Sequence, residues 1–177
     1  MQFLPGFPRR LLTALLLGLC AAPVLPAASG LYTVEIVVFD NGGTTGALSN
    51  KFAAPPVATD DIDATPAPTG RLNAAVNRLR SKGAVRILAH KAWTQSATPW
   101  DSGHGVSAAQ AGLGNSIEGR ISVERGEKLN LRLDLIVEEG GRRYRLNEVR
   151  RNVKPGQIQY FDHPAVGVLA VVTEAAG

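Results

Sequence analysis

Along most of this chain apolar residues recur at every second position, and in one short stretch they recur every third or fourth. Leu129, Leu131, Leu133, Leu135 and Val137 alternate with Asn130, Arg132 and Asp134, the period of a strand with one wet face. Ile117, Gly119, Ile121 and Val123 alternate in the same way with Glu118, Arg120, Ser122 and Glu124, and residues 142–151 return as a third strand. Only Gly126-Glu127 and Glu138–Gly141 separate the three, so the spacing predicts an antiparallel meander over 116–151. Upstream, Leu31–Asp40 places Tyr32, Val34, Ile36 and Val38 on one face and Thr33 and Glu35 on the other, although Val37 and Phe39 soften the contrast. In 84–95, Val85, Ile87 and Ala89 alternate with Arg86, Leu88 and His90. Val166–Thr173 is apolar on both faces, as a covered central strand is.

The helical period is confined to 70–82, where Leu72, Ala75, Val76 and Leu79 form one stripe. Thr69 is a suitable N-cap and Gly83 a suitable stop. Arg71, Arg78, Arg80 and Lys82 fall mostly off the stripe and read as a solvated face. Residues 41–69, rich in Gly and Pro, show no period and are expected to be loosely draped. Asp60, Asp61 and Asp63 lie there, without the glycine and distal glutamate of a calcium loop. Residues 96–115 read as a loop with at most one short strand near 100–107. The expected fold is α+β: one antiparallel sheet of about six strands with a single helix packed on its apolar face.

The first 28 residues change the picture of where the chain works. Arg9 and Arg10 precede an apolar run, Leu11–Cys20, and small residues follow up to Ala28 and Ser29. That is the order of a secretory signal peptide, and the run is short for a membrane span. Residues 1–28 are expected to be cleaved, leaving 29–177 as one periplasmic domain with no membrane span. Cys20, preceded by Leu19, is the only cysteine, so the mature domain would hold no disulfide and no thiolate metal site. Removing Arg9 and Arg10 takes the formal charge from +4 to +2, which with export argues against a nucleic-acid partner.

Candidate chemistry is sparse. No glycine-flanked serine elbow accompanies the Ser, His and Asp residues. His90, His104 and His163 sit at no short ligand spacing and would have to converge in space to bind a metal, so neither metal nor cofactor is expected. Arg143, Arg145 and Arg151 share one face of their strand. They suit bidentate binding of carboxylates, or plain pairing with Glu118, Glu124 or Asp134 across the meander. Trp93 and Gln95 also share a face; they suit a sugar ring, with stacking and amide hydrogen bonds, or a core tryptophan.

Tyr160-Phe161-Asp162-His163-Pro164 packs aromatic, acidic and imidazole groups into five residues between two strands. Pro164 keeps His163 out of helical geometry, so the stretch reads as an ordered corner, structural before it is a contact site. Phe161 is expected to be buried, Asp162 to accept from Arg150 or turn amides, and His163 to donate across the sheet. On that reading Asp162→Ala lowers stability first and binding only in consequence.

Several stretches together resemble the CsiV family of exported peptidoglycan-binding proteins. They are Tyr32–Phe39 behind the signal peptide, His90–Gln95, Ile117-Glu118-Gly119, Glu148–Arg151, Tyr160–Pro164 and Gly167-Val168-Leu169. The resemblance implies a periplasmic, non-enzymatic protein that binds peptidoglycan. It also implies that wall synthesis is promoted through LpoA, the lipoprotein activator of a class A penicillin-binding protein. The alternatives are a metal-dependent periplasmic hydrolase and an adaptor that contacts protein only.

Overall fold

The computed structural model describes residues 30–43, 47–48, 62–81, 83 and 85–175. The expected signal peptide and most of the 41–69 loop, with Asp60 and Asp61, lie outside them. Two sheets face each other. The first is built from β1 (Leu31–Asp40), β3 (Thr65–Pro66), β4 (Arg86–Ser96), β10 (Ile158–Asp162) and β11 (Val166–Glu174), in the order β10-β11-β1-β4-β3. The second takes β2 (Ala47–Leu48), β5 (Thr98–Pro99), β7 (Ile117–Arg125), β8 (Leu129–Glu139) and β9 (Arg142–Arg150), in the order β2-β9-β8-β7-β5, with β6 (Val106–Ser107) also on β7. Among the described residues only β5 and β7 pair in parallel. The meander β7-β8-β9 is therefore present, in the register its alternation demands.

The single sheet expected from the sequence is corrected to two, and the helix α1 (Asn73–Ser81) does not sit on the meander. The inner face of the meander, with Leu131, Leu133, Leu135, Ile121 and Tyr144, is covered by Val34, Ile36, Trp93, Phe161, Val168 and Val172 of the first sheet. β1 and β11 then need a second cover, and α1 supplies it: Leu72 and Val76 pack on Val37, Phe39 and Val171 from outside. A strand apolar on both faces is thus explained by two partners, one on each side. A β-bulge where β1 meets β4 shifts the register between Val38 and Phe39. It sends Ile87 to the helix side and Ala89 to the inner core, so these two do not share the face that simple alternation gives them.

Two of the expected loops contribute structure. Residues 62–69 add β3 to β4, with Ile62 and Ala64 against the core, so the end of the 41–69 stretch is ordered. The 96–115 stretch buries Ala108, Ala111 and Leu113. The corner itself is a strand, β10, followed by a tight turn in which the His163 amide donates to the Val166 carbonyl at 3.1 Å. Gly167 follows at once, where a β-carbon would collide with the Phe39 ring lying across β11.

Candidate functional site

Trp93 and Gln95 do share a face, but that face is inside. Each is 1 % exposed, and the Trp93 indole N–H donates to Gln95 Oε1 at 2.7 Å. Gln95 serves to satisfy a buried indole, as burial of that group requires. The pair is a core feature, and the sugar-stacking position expected at Trp93 is closed to a ligand.

The arginines lie on the outer face of the second sheet, opposite the core, with acids on the neighbouring strands. Arg145 forms a two-pronged bond with Asp134, both contacts 3.0 Å, and that bond raises the guanidinium pKa against the opposing effect of burial. Arg143 Nη2 donates to Glu118 at 2.8 Å. Both side chains are committed to partners within the sheet. Arg151, beyond the end of β9, instead lies over an aromatic ring.

That ring is Trp100, which sequence periodicity did not single out because it stands in a loop. Trp100 is 40 % exposed. The guanidinium carbons of Arg132 and Arg151 lie 5.5 and 5.3 Å from its ring centroid, within cation–π range. Arg132 is held from behind: its Nε donates to Glu124 at 2.7 Å and its Nη2 to Asp101 at 2.8 Å. Glu124 is 0 % exposed, so this carboxylate can be buried only with its arginine in place. The bond to Glu124 raises the Arg132 pKa, although burial opposes it. On the other flank Asn130 Oδ1 accepts from the Asn152 amide at 3.1 Å, pinning the turn that carries Arg151. Two hollows lie nearby, and Trp100 lines the first of them. One is an open groove of about 480 Å³ along Lys128, Asn130, Arg151 and Asn152. The other is a pocket of about 200 Å³ lined by Asp101, Arg120, Arg132 and Asp134.

The corner has its own logic. Phe161 is fully buried, and the Arg150 guanidinium lies 4.7 Å from its ring centroid. Arg150 does not reach Asp162, as expected from the sequence, but donates to the Tyr160 carbonyl at 2.7 Å and pairs with Glu148. Asp162 is exposed and accepts from the Tyr160 hydroxyl at 2.6 Å. Partial burial and that carboxylate together raise the phenol pKa. His163 does not donate across the sheet; its Nδ1 accepts from the Ala165 amide at 3.2 Å, and its ring tilts against Tyr144. Pro164 is exposed at the tip. With its carboxylate at the surface, Asp162 leaves no buried group orphaned when removed. Asp162→Ala should change unfolding free energy by less than about 0.5 kcal/mol in a urea titration, which reverses the stability loss expected from the sequence alone.

Glu35 is the residue the pattern hid. It is buried on the helix side of β1, and its carboxylate accepts from the amides of Gly70, Arg71 and Leu72 at 2.8–3.1 Å, ahead of α1. His90 Nε2 stands 2.7 Å away. The first turn is therefore capped from a distant strand, and Thr69, the expected cap, is exposed. Burial pushes the Glu35 carboxyl up, but the bonds from His90, Gly70, Leu72 and Arg71 outweigh it and hold its pKa below the ordinary value.

His90 is thus at the helix, His163 in the corner and His104 in the loop before β6. Among the described residues no three His, Cys, Asp or Glu side chains gather as a metal site. Among them, too, no helix is long and apolar enough to cross a membrane. No curated protein and no solved structure matches the chain. A family model described as peptidoglycan-binding protein, CsiV, matches residues 60–175, which run from β3 to β11 and include both flanks of Trp100. The chain belongs to the CsiV family of peptidoglycan-binding proteins.

Proposed function

We propose that this protein is exported to the periplasm and holds peptidoglycan, without cleaving it, on the outer face of its second sheet. The observation that carries the reading is Trp100, a tryptophan 40 % exposed, with two guanidinium groups close to its ring and an open groove beside it. An aromatic ring stacks on the apolar face of a sugar, and arginine and asparagine meet its polar edges and the acids of the attached peptide. Arg151 belongs to this surface; Arg143 and Arg145 lie farther along the same face, tied into ion pairs. In the cell we place the protein upstream of wall synthesis, acting on an LpoA-type lipoprotein and through it on a class A penicillin-binding protein. Family membership supports the wall-binding part of this role.

Co-sedimentation with purified sacculi tests the reading. Trp100→Ala should weaken binding about 10–30-fold, the loss typical of an aromatic anchor at a binding surface, while the melting temperature stays that of the parent. Binding should also fall as salt is raised. Retention of sacculi by the variant at parental affinity would remove Trp100 from the site. A second reading, an adaptor that touches only protein, draws on the exposed Ile158 and Tyr160 of β10. Capture of the LpoA-type partner with no affinity for sacculi would favour it.

A further inference from the structure

On the far side of the sandwich from Trp100, α1 covers only part of the first sheet. Leu72 and Val76 pack on Val37, Phe39 and Val171. β10, at the edge of that sheet, turns Phe161 into the core and leaves Ile158 and Tyr160 outside. At 47 and 45 % they are the most exposed large apolar side chains among the described residues. Their cross-strand partners are Val171 and Leu169. The Tyr160 ring stacks on Phe39 at 6.4 Å, at the margin of the surface that α1 covers. Ile158, Tyr160 and Leu169 thus form a shelf beside the helix. The helix side of it is basic. α1 holds Arg78 and Arg80 and no acid, and Arg71 stands just ahead of it. All three are exposed, and among the described residues none is in an ion pair. Arg71 shares a hollow with Val171, Thr173 and Glu174, so its flank of the helix faces β11. Arg78 follows two turns later on the same flank. Acids mark the ends of the shelf: Glu174 beside Arg71, and Asp162, which accepts from the Tyr160 hydroxyl. Between them one wall is basic and the other apolar.

We propose that this shelf docks an acidic amphipathic helix of a partner protein, with its apolar stripe on Ile158, Leu169 and Tyr160 and its carboxylates on Arg71 and Arg78. The proposal goes beyond wall binding and does not rest on it. The two surfaces lie on opposite faces of the sandwich, so both can be occupied at once. Spacing favours a helix. Neighbouring strands lie about 4.8 Å apart, so β10, two places from β1, runs roughly 10 Å from it. Packed helix axes lie about 8–10 Å apart, so a helix laid on β10 meets the flank of α1 at packing distance and completes the layer. Charge selects the occupant. A second copy of this chain would set α1 against α1, arginine facing arginine, and like charges across an interface repel. A bilayer would draw on the apolar stripe of a surface helix, and α1 buries its own. Tyrosine and arginine on a rigid sheet and helix are instead the anchors of protein contacts.

The test uses the mature full-length chain and fluorescence anisotropy with designed peptides of about 18 residues, long enough to hold a helix. One carries a leucine stripe flanked by glutamates. A second replaces the glutamates by lysines, and a third keeps the composition of the first but scrambles the stripe. The glutamate peptide should bind at least about tenfold more tightly than either control. Tyr160→Ala should weaken it by about tenfold, and Arg78→Glu should shift the preference toward the lysine peptide. Arg78 is exposed, so Arg78→Glu should melt like the parent and carries the test even where Tyr160→Ala loosens β10. No binding of the glutamate peptide, equal binding of all three, or binding indifferent to Arg78→Glu would overturn the proposal. So would adhesion to anionic phospholipid vesicles with no peptide preference, which assigns the face to lipid. A dimer in sedimentation equilibrium that Tyr160→Ala dissolves would overturn it too, in favour of a second copy. Sacculus sedimentation run alongside keeps the two claims apart: Trp100→Ala should lose sacculi and keep the peptide.

Discussion

Trp93→Ala is expected to lower the free energy of unfolding by about 3–5 kcal/mol, the range for deleting a large aromatic from a packed core. Trp93 lies between the two sheets with Val34 as its cross-strand partner, and its removal opens a void that neither sheet can fill by shifting alone. It also strands the Gln95 carbonyl, which loses the indole N–H in a site with almost no access to water. Against a typical stability of about 5–15 kcal/mol this is a large fraction, and part of the expressed protein should be found unfolded. Urea titration followed by fluorescence reads the effect, since Trp100 remains as a reporter. The same titration on Trp100→Ala should give the parental midpoint. Two tryptophans seven residues apart in the chain would then divide the work, one holding the sheets together and one holding the ligand. A parental midpoint for Trp93→Ala would show that the sheets do not depend on this contact.

Glu35→Gln should lower stability by about 2–4 kcal/mol at neutral pH: roughly 1 for the lost helix cap and 1–3 for donors left facing an amide. It should also change how stability depends on pH. The folded-state pKa of Glu35 lies below its ordinary value of 4.5. The folded protein therefore keeps this carboxylate ionised in a window where the unfolded chain has already taken up a proton. A depressed pKa contributes stability above the unfolded value, and that contribution is lost as pH falls through the folded one. The parent should thus weaken below about pH 4.5, and Glu35→Gln should show a shallower decline over the same interval. Equal slopes in the two proteins would mean that the carboxylate is not what the helix start depends on.

The meander was legible because its alternation is local and unbroken: every inward position from Leu131 to Val137 is buried. Closure by a second sheet was not legible, because β1 pairs with β4 on one side and with β11, more than a hundred residues away, on the other. Val37 and Phe39, which blurred the alternation of β1, were the trace of the missing layer; they are the residues that meet α1. Glu35 comes two residues before Val37 in the same apolar strand, and a lone acid there is the signal of a distant cap. At the candidate site, the period of two put Trp93 and Gln95 on one face but carries no sign of which face meets water. Trp100 has no period at all, and only its neighbours in space, Arg132 and Arg151, mark it.

The pairing of β1 with β11 bears on how the chain is delivered. The first sheet is centred on the strand nearest the beginning of the described residues, and one of its two partners is the last strand. If the chain is exported as proposed, with its N-terminal end leading, it presents β1 early and β11 only at the finish. Until 166–174 arrives, β1 lacks one edge partner, and Val37 and Phe39 lack the neighbouring Val171 that completes the surface under α1. Local hairpins such as β7-β8 can flicker in the meantime, but the two layers have no seam to close. On that route the topology would act as a timer: the polypeptide would stay pliable while it is threaded and lock when its final strand is released.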